Sequence, residues 1–266
     1  MNSVQYLGPW QIAIASSLVV FCAVVSIVLK LRLERQLAVA AMRTVAQLLL
    51  VGYVLKYVFH AGSPLVIALV VFLMVAFAGH AAVSRSKFTY GGAMAHSFVT
   101  LVASGLLTTY IVTAAIIQVH PWYRPQYLIP LLGMILGNSL TGISIALDQL
   151  LGDLTGRRAE IEMELCHGAT AWEAARDPLR DAIRRGMIPT INSMLVVGIV
   201  SLPGMMTGQI LAGSDPVDAV KYQIVVMFML AAATALGCMS ISLLAYRTLF
   251  NSRHQLVSAS ILPGKK

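Results

Sequence analysis

Few residues in this chain could do chemistry, and most of those are uncharged. Leu202-Pro203-Gly204 interrupts a long apolar run and is followed at once by Met205, Met206, Thr207 and Gln209. Proline removes a backbone hydrogen bond and glycine loosens the turn. If the run crosses a bilayer, backbone freed at that depth is tolerated only against protein or a water-filled cavity. Broken helices at the midplane recur as substrate sites in transporters, which makes this segment a candidate translocation pathway. The plainer alternative is a kink in which Ser201 or Thr207 bridges to neighbouring carbonyls. Asn138 and Ser139 place further neutral polar groups in another apolar run, and Asn192 adds one earlier in this run. Arg43 is the one charge well inside such a run, with Gln47 one turn further on the same helical face. We expect it to pair with Asp148 or to snorkel toward headgroups. Met205 and Met206 read first as packing residues; as ligands, thioethers would suit soft ions.

The elements that position these groups follow from composition. Of 266 residues, 58% are hydrophobic and only 11% charged, with a mean hydropathy of +0.79. A soluble domain carries about twice that share of charge, so the bilayer is the expected solvent. Seven runs are long enough to cross about 30 Å of hydrocarbon: 9–29, 37–59, 64–83, 94–118, 127–150, 187–212 and 219–246. The first has no basic segment before it and no small-residue cleavage site after it, so it reads as a retained span. Fifteen of the nineteen basic residues fall in alternate loops on one side, which predicts an outside N-terminus and a cytoplasmic C-terminus. The net charge of +8 is thereby accounted for without nucleic acid, since no continuous basic stripe interleaved with aromatics exists. The expected fold is a single all-α polytopic membrane domain over 1–266. Cys22, Cys166 and Cys238 show no ligand or disulfide spacing, and Cys22 and Cys238 read as small core residues.

The one sizeable cytoplasmic stretch is 151–186. The fifth span should continue as a helix, with Arg157, Arg158, Glu160 and Glu164 at supporting spacing, and stop at Gly168. Thr170 and Glu173 then form a capping box. Pro178 predicts that the helix starting there is short, roughly 171–177. So short a helix needs something to dock against, and Trp172 offers an amphipathic anchor. Lying on the headgroups is the alternative, which explains Arg180, Arg184 and Arg185 but not the acids.

Glu164-Leu-Cys-His-Gly168-Ala-Thr-Ala-Trp-Glu-Ala, followed by Ile188-Pro189, resembles the EAA-type cytoplasmic loop of ATP-binding-cassette (ABC) transporter permeases. The run from Ile188 through Asn192, Gly198, Pro203 and Gln209 to Gly213, then Ala219–Met227, is similar to the FetB-type permeases, a family linked to iron export with plant relatives linked to aluminium tolerance. Met42–Leu48 and Gly137–Ser144 extend the likeness across most of the chain. The Cys166-His167 pair departs from the pattern. The resemblance implies that a coupling helix carrying Glu164, Gly168, Ala169, Thr170, Trp172, Glu173 and Ala174 inserts into a separate ABC ATPase. It implies a metal ion as substrate and the bacterial inner membrane as location.

No GxxxxGK[ST] motif occurs, so ATP and magnesium belong to the partner, and this chain is expected to bind no cofactor and to catalyse no reaction itself. One coupling helix per chain and two sites per ATPase dimer imply a homodimer. Four small-xxx-small patterns, such as Gly133-xxx-Gly137 and Gly204-xxx-Gly208, could serve it or pack within the chain. For iron, harder donors than methionine are required, and Asn138, Ser139, Asn192, Gln209, His80 and His96 are the candidates, with no ligand set specified. Uptake by the same architecture, and a lipid-modifying enzyme, are the competing functions. The enzyme lacks any catalytic spacing among its cytoplasmic acids and His167.

Overall fold

The computed structural model describes residues 8–251, 253–257 and 261–263. It divides into two compact units, Met1–Ser63 with Leu211–Gly213, and Pro64–Ile210 with Ser214–Lys266.

The first unit is a helical hairpin of α1 (Pro9–Val28) and α2 (Glu34–Ala61). The Ser26 hydroxyl accepts from the Leu33 amide at 2.9 Å and donates to Glu34 at 3.1 Å, which fixes the turn. Gly62 ends α2 with φ of 56°, a left-handed position that glycine adopts without steric cost. Leu18, Phe21, Leu48 and Tyr53 lie exposed along these helices, a surface that lipid can solvate and water cannot. Cys22 is among the exposed residues, contrary to the core position expected of it. A span residue can be apolar for the bilayer's sake as well as for packing.

The second unit contains α3 (Pro64–Ser84), β1 (Phe88–Tyr90), α4 (Ala93–Tyr110), α5 (Pro125–Gly156), α6 (Arg158–Cys166), α7 (Ala171–Val196), α8 (Gly204–Leu211), α9 (Pro216–Leu249) and β2 (Ile261–Pro263). α4 runs on into a π-helical turn, Ile111–Ile116. Its hydroxyls turn inward on their own helix: Ser104, Thr109 and Thr113 donate to the carbonyls of Thr100, Gly105 and Thr109. Such back-bonding satisfies a hydroxyl where no water is available. α5 is the axis, with Leu132, Ile135, Leu147, Leu150 and Leu154 fully buried, and α3, α4, α7 and α9 packed round it. The two strands pair antiparallel, Thr89 opposite Leu262.

α5, α7 and α9 meet most closely at two glycines. A Cβ placed on Gly186 would lie 2.8 Å from the Gly142 carbonyl oxygen and 2.7 Å from Cys238 Sγ. Here the absence of a side chain is what lets the helices touch. Cys238 is buried, as expected.

α1, α2, α3, α4 with its π turn, α5 and α9 are long and apolar enough to cross a membrane. The expected run 187–212 is not one helix; it is shared between the end of α7, an irregular segment and α8. The short helix expected over 171–177 is also corrected, because α7 passes through Pro178 and Pro189 without ending. Proline inside a helix costs about 3 kcal/mol. Burying an aliphatic side chain recovers about 1.5–3 kcal/mol, and Leu179, with Pro178 and Ala182, is buried against the core. Tertiary packing therefore outweighs the local preference.

Candidate functional site

The two ends of α7 carry the two groups of candidate residues. At its N-terminal end α6 stops at Cys166, and Gly168 turns the chain with φ of 95°. The Glu164 carbonyl accepts from the His167 and Ala169 amides, both at 3.1 Å, closing the turn. Two exposed ion pairs, Arg157–Glu160 and Arg158–Glu162, brace α6 as their spacing predicts. The capping box is present: the Thr170 hydroxyl accepts from the Glu173 amide at 3.3 Å, and the Glu173 carboxylate accepts from the Thr170 amide at 2.8 Å. Ala174 and Ala171 are buried, and Ala169 is half-buried. Trp172 stays 50% exposed while its ring meets Tyr246 edge-on at 5.7 Å, so it is held in place yet open to a partner.

Two features of this elbow carry no sequence signal. The Ala171 amide, one of the unpaired donors of the helix start, donates to His254 Nδ1 at 3.1 Å. His254 reaches it from a turn organised by Asn251, whose side-chain oxygen accepts from the Arg253 and Gln255 amides.

The hydrogen bonds from the Thr170 amide and hydroxyl hold the Glu173 carboxyl below its ordinary 4.5. A lowered value means that the cap's contribution is complete above the unfolded-chain pKa and is lost as pH falls through the folded one. At neutral pH, Glu173→Gln is expected to speed hydrogen exchange at the Thr170 amide. The difference from wild type should close as the pH drops below 4.5. A constant difference across that range would show that charge plays no part.

At its other end α7 stops at Val196, whose carbonyl accepts from the Val200 and Ser201 amides at 3.0 and 3.3 Å. The chain turns at Gly198, φ 84°, and re-enters helix at Gly204. The break thus begins well before Pro203. Thr207 donates to the Pro203 carbonyl at 3.1 Å, one of the bridges expected of a kink. The irregular backbone is nonetheless long and open, with Ile199 89% exposed.

Two adjoining cavities lie beside the break. The larger, about 520 Å³, is bounded by Met194, Met206, Met227 and Phe228. The smaller, about 240 Å³, is bounded by Asn138, Thr190, Ser193, Ser201 and Pro203. Gln223 of α9 lines both, is 5% exposed, and has no hydrogen-bond partner for either its oxygen or its nitrogen. Gln223 is not among the expected pathway residues, although it lies in the Ala219–Met227 stretch that carries the family resemblance and is a lone amide within an apolar run.

Of the expected pathway residues, Asn138, Pro203 and Met206 meet at these cavities, and Asn138 donates to the Met134 carbonyl at 3.0 Å. Gly204 begins α8, and Met205 packs against a small core cluster around Ile135 and Leu230. Gln209 is half-buried with an unpartnered oxygen, and Ser139 is fully buried with an unpartnered hydroxyl. Asn192 lies exposed on α7. Arg43 and Gln47 are exposed on α2 in the other unit, Arg43 flanking a groove with Arg35. The expected Arg43 partner is engaged within its own unit, since Asp148 accepts from the Lys87 amide at 2.7 Å and from the Ser86 hydroxyl at 3.4 Å. Among the described residues no cluster of three His, Cys, Asp or Glu could hold a metal ion. His96 is instead bonded to the Tyr90 hydroxyl at 2.9 Å.

Comparison with known proteins gives this arrangement a context. The chain is 41% identical to "UPF0014 membrane protein slr1647" of Synechocystis, over 85% of this chain and 88% of that protein. It is 38% identical to "Probable iron export permease protein FetB" of Escherichia coli, over 93% of this chain and 94% of that one. "Protein ALUMINUM SENSITIVE 3" of Arabidopsis thaliana is 30% identical over 92% of this chain and 88% of its own length. No solved structure matches. The family described as Uncharacterised protein family (UPF0014) matches residues 9–250. With its membrane-length helices and their lipid-compatible surfaces, the chain is an integral membrane protein of the UPF0014 family.

Proposed function

We propose that this chain is the permease subunit of an ABC exporter of iron or a related metal, driven by a separate ATPase. The reading takes seven crossings in the bacterial inner membrane, the sixth being the end of α7 with α8, and places the elbow in the cytoplasm by the positive-inside asymmetry. Iron comes from the name of the Escherichia coli relative, and a related metal from that of the Arabidopsis one. The observation that carries it is α7 itself. One unbroken helix of 26 residues joins the capped elbow to the broken segment beside the cavities. At 1.5 Å per residue it spans about 39 Å, its first part in the elbow and its end in the sixth crossing. A push delivered to Trp172 would travel along a rod and emerge at Gln223's cavity. Two copies serve the two sites of an ATPase dimer, each offering one elbow. A Cβ added at Gly204 or Gly208 would meet nothing within 4 Å among the described residues, which leaves this side of α8 open to a second copy.

Inverted membrane vesicles containing both subunits, ATP and radioactive iron test the reading. ATP-dependent accumulation is the expected result. Depletion from iron-loaded vesicles would instead establish uptake, and no movement of any metal would remove the transport reading.

A further inference from the structure

The chemistry of the paired cavities bears on what form the cargo takes. Neither cavity is bounded by any Asp, Glu, Lys, Arg or His. A bare divalent or trivalent cation entering it would surrender its hydration shell and find no countercharge. That desolvation penalty grows with the square of the charge and is the dominant cost of placing an ion in an apolar site. What the cavities offer is different. Their combined character is an apolar wall with a few convergent neutral polar groups, at a volume suited to a small organic molecule. Gln223 has one donor group and one acceptor, both buried and both unpaired. A buried amide left without partners is costly to the fold, and a ligand presenting an acceptor and a donor together would relieve it. Thr190 and Ser193 add hydroxyl oxygens to the smaller cavity, Ser193 donating its own proton to the Pro189 carbonyl at 3.0 Å.

We propose that the paired cavity around Gln223 is a binding site for an uncharged solute carrying a hydrogen-bond donor and acceptor, so that a metal cargo enters it as a charge-neutral organic chelate. The metal rests on the transport reading above; the preference for a neutral ligand rests on the cavity alone. The three methionines of the larger cavity supply polarizable, adaptable packing for the organic shell of such a complex.

The test uses the full chain in lipid nanodiscs and equilibrium dialysis with radioactive iron. Three probes are compared: the neutral ferric tris-acetohydroxamate complex, whose N–H groups donate and whose oxygens accept, free ferrous ion kept reduced by ascorbate, and, in parallel, silver(I) as a soft cation. Saturable binding of the neutral complex is expected, with none of the free ferrous ion. Gln223→Leu should weaken that binding by roughly tenfold or more, because it removes both hydrogen-bonding groups. This variant should fold, since it replaces an unpartnered buried amide by an apolar side chain of similar size. Equal binding of the neutral complex by wild type and Gln223→Leu would overturn the proposal. So would tighter binding of ferrous ion or silver(I) than of the neutral complex. The two readings fail separately. Chelate binding that persists when ATP-driven transport is absent supports the site and removes the transporter. Iron transport that persists when the neutral complex does not bind removes the site and leaves the transporter.

Discussion

Gly186→Val is expected to leave little or no correctly folded protein in the membrane. The site admits no side chain: even a Cβ would stand 2.8 Å from the Gly142 carbonyl oxygen, 2.7 Å from Cys238 Sγ and 3.0 Å from Ala146 Cβ. The first of these is backbone and cannot rotate away. Relief requires α7 to move off α5, and that contact holds α7 to the core through Leu179, Ala182 and Thr190. Overpacking a well-filled core costs about 1–3 kcal/mol when neighbours can adjust. Three helices would have to adjust here, so the upper end or beyond is expected. The measurement is the yield of monodisperse protein after detergent extraction, with its thermal midpoint. Gly137→Ala is the control on the facing helix α5, because a Cβ there meets nothing within 4 Å. Equal yields from the two variants would show that α5 and α7 do not meet as described.

If the elbow docks an ATPase as proposed, Trp172→Ala, and separately Ala169→Asp, should abolish copurification of that ATPase while leaving the membrane subunit folded. Trp172 is half-exposed and held by Tyr246, which in turn stacks at 5.3 Å on Phe250, so its position is set before any partner arrives. A pre-positioned tryptophan at the centre of a protein contact is worth about 2 kcal/mol or more, near thirtyfold in affinity. The aspartate acts differently, by placing a charge in the tight turn where a partner must fit closely. Gel filtration of the membrane subunit alone should not change. Copurification that survives both substitutions would move the docking surface elsewhere.

Local signals in the sequence locate the elbow well. The Thr170–Glu173 box and the Gly168 turn depend on groups within a few residues of one another, and short-range rules describe them. Six of the apolar runs are equally legible, because bilayer thickness sets their length whatever they pack against; the run 187–212 is not, since it divides between α7, an irregular segment and α8. Pro178 misleads because its cost is local while the compensation, burial of Leu179 and Ala182, comes from the packed core. Gln223, Gly186 and His254 escape for a related reason. Each matters through a neighbour tens of residues away, Asn138 across a cavity, Gly142 across a helix crossing, Ala171 across a turn, and no spacing along the chain marks such a meeting. Asp148 adds a meeting of the same kind, accepting from the Lys87 backbone amide 61 residues away, a contact that charge does not announce.

The pairing of Phe88–Tyr90 with Ile261–Pro263 bears on the order of assembly. The first strand leaves the ribosome before α4, α5, α7 and α9 have been made, and its partner only after them. A contact between segments so distant along the chain closes late, since the entropy of the intervening loop must first be removed by the helices between. Its formation therefore reports a finished bundle.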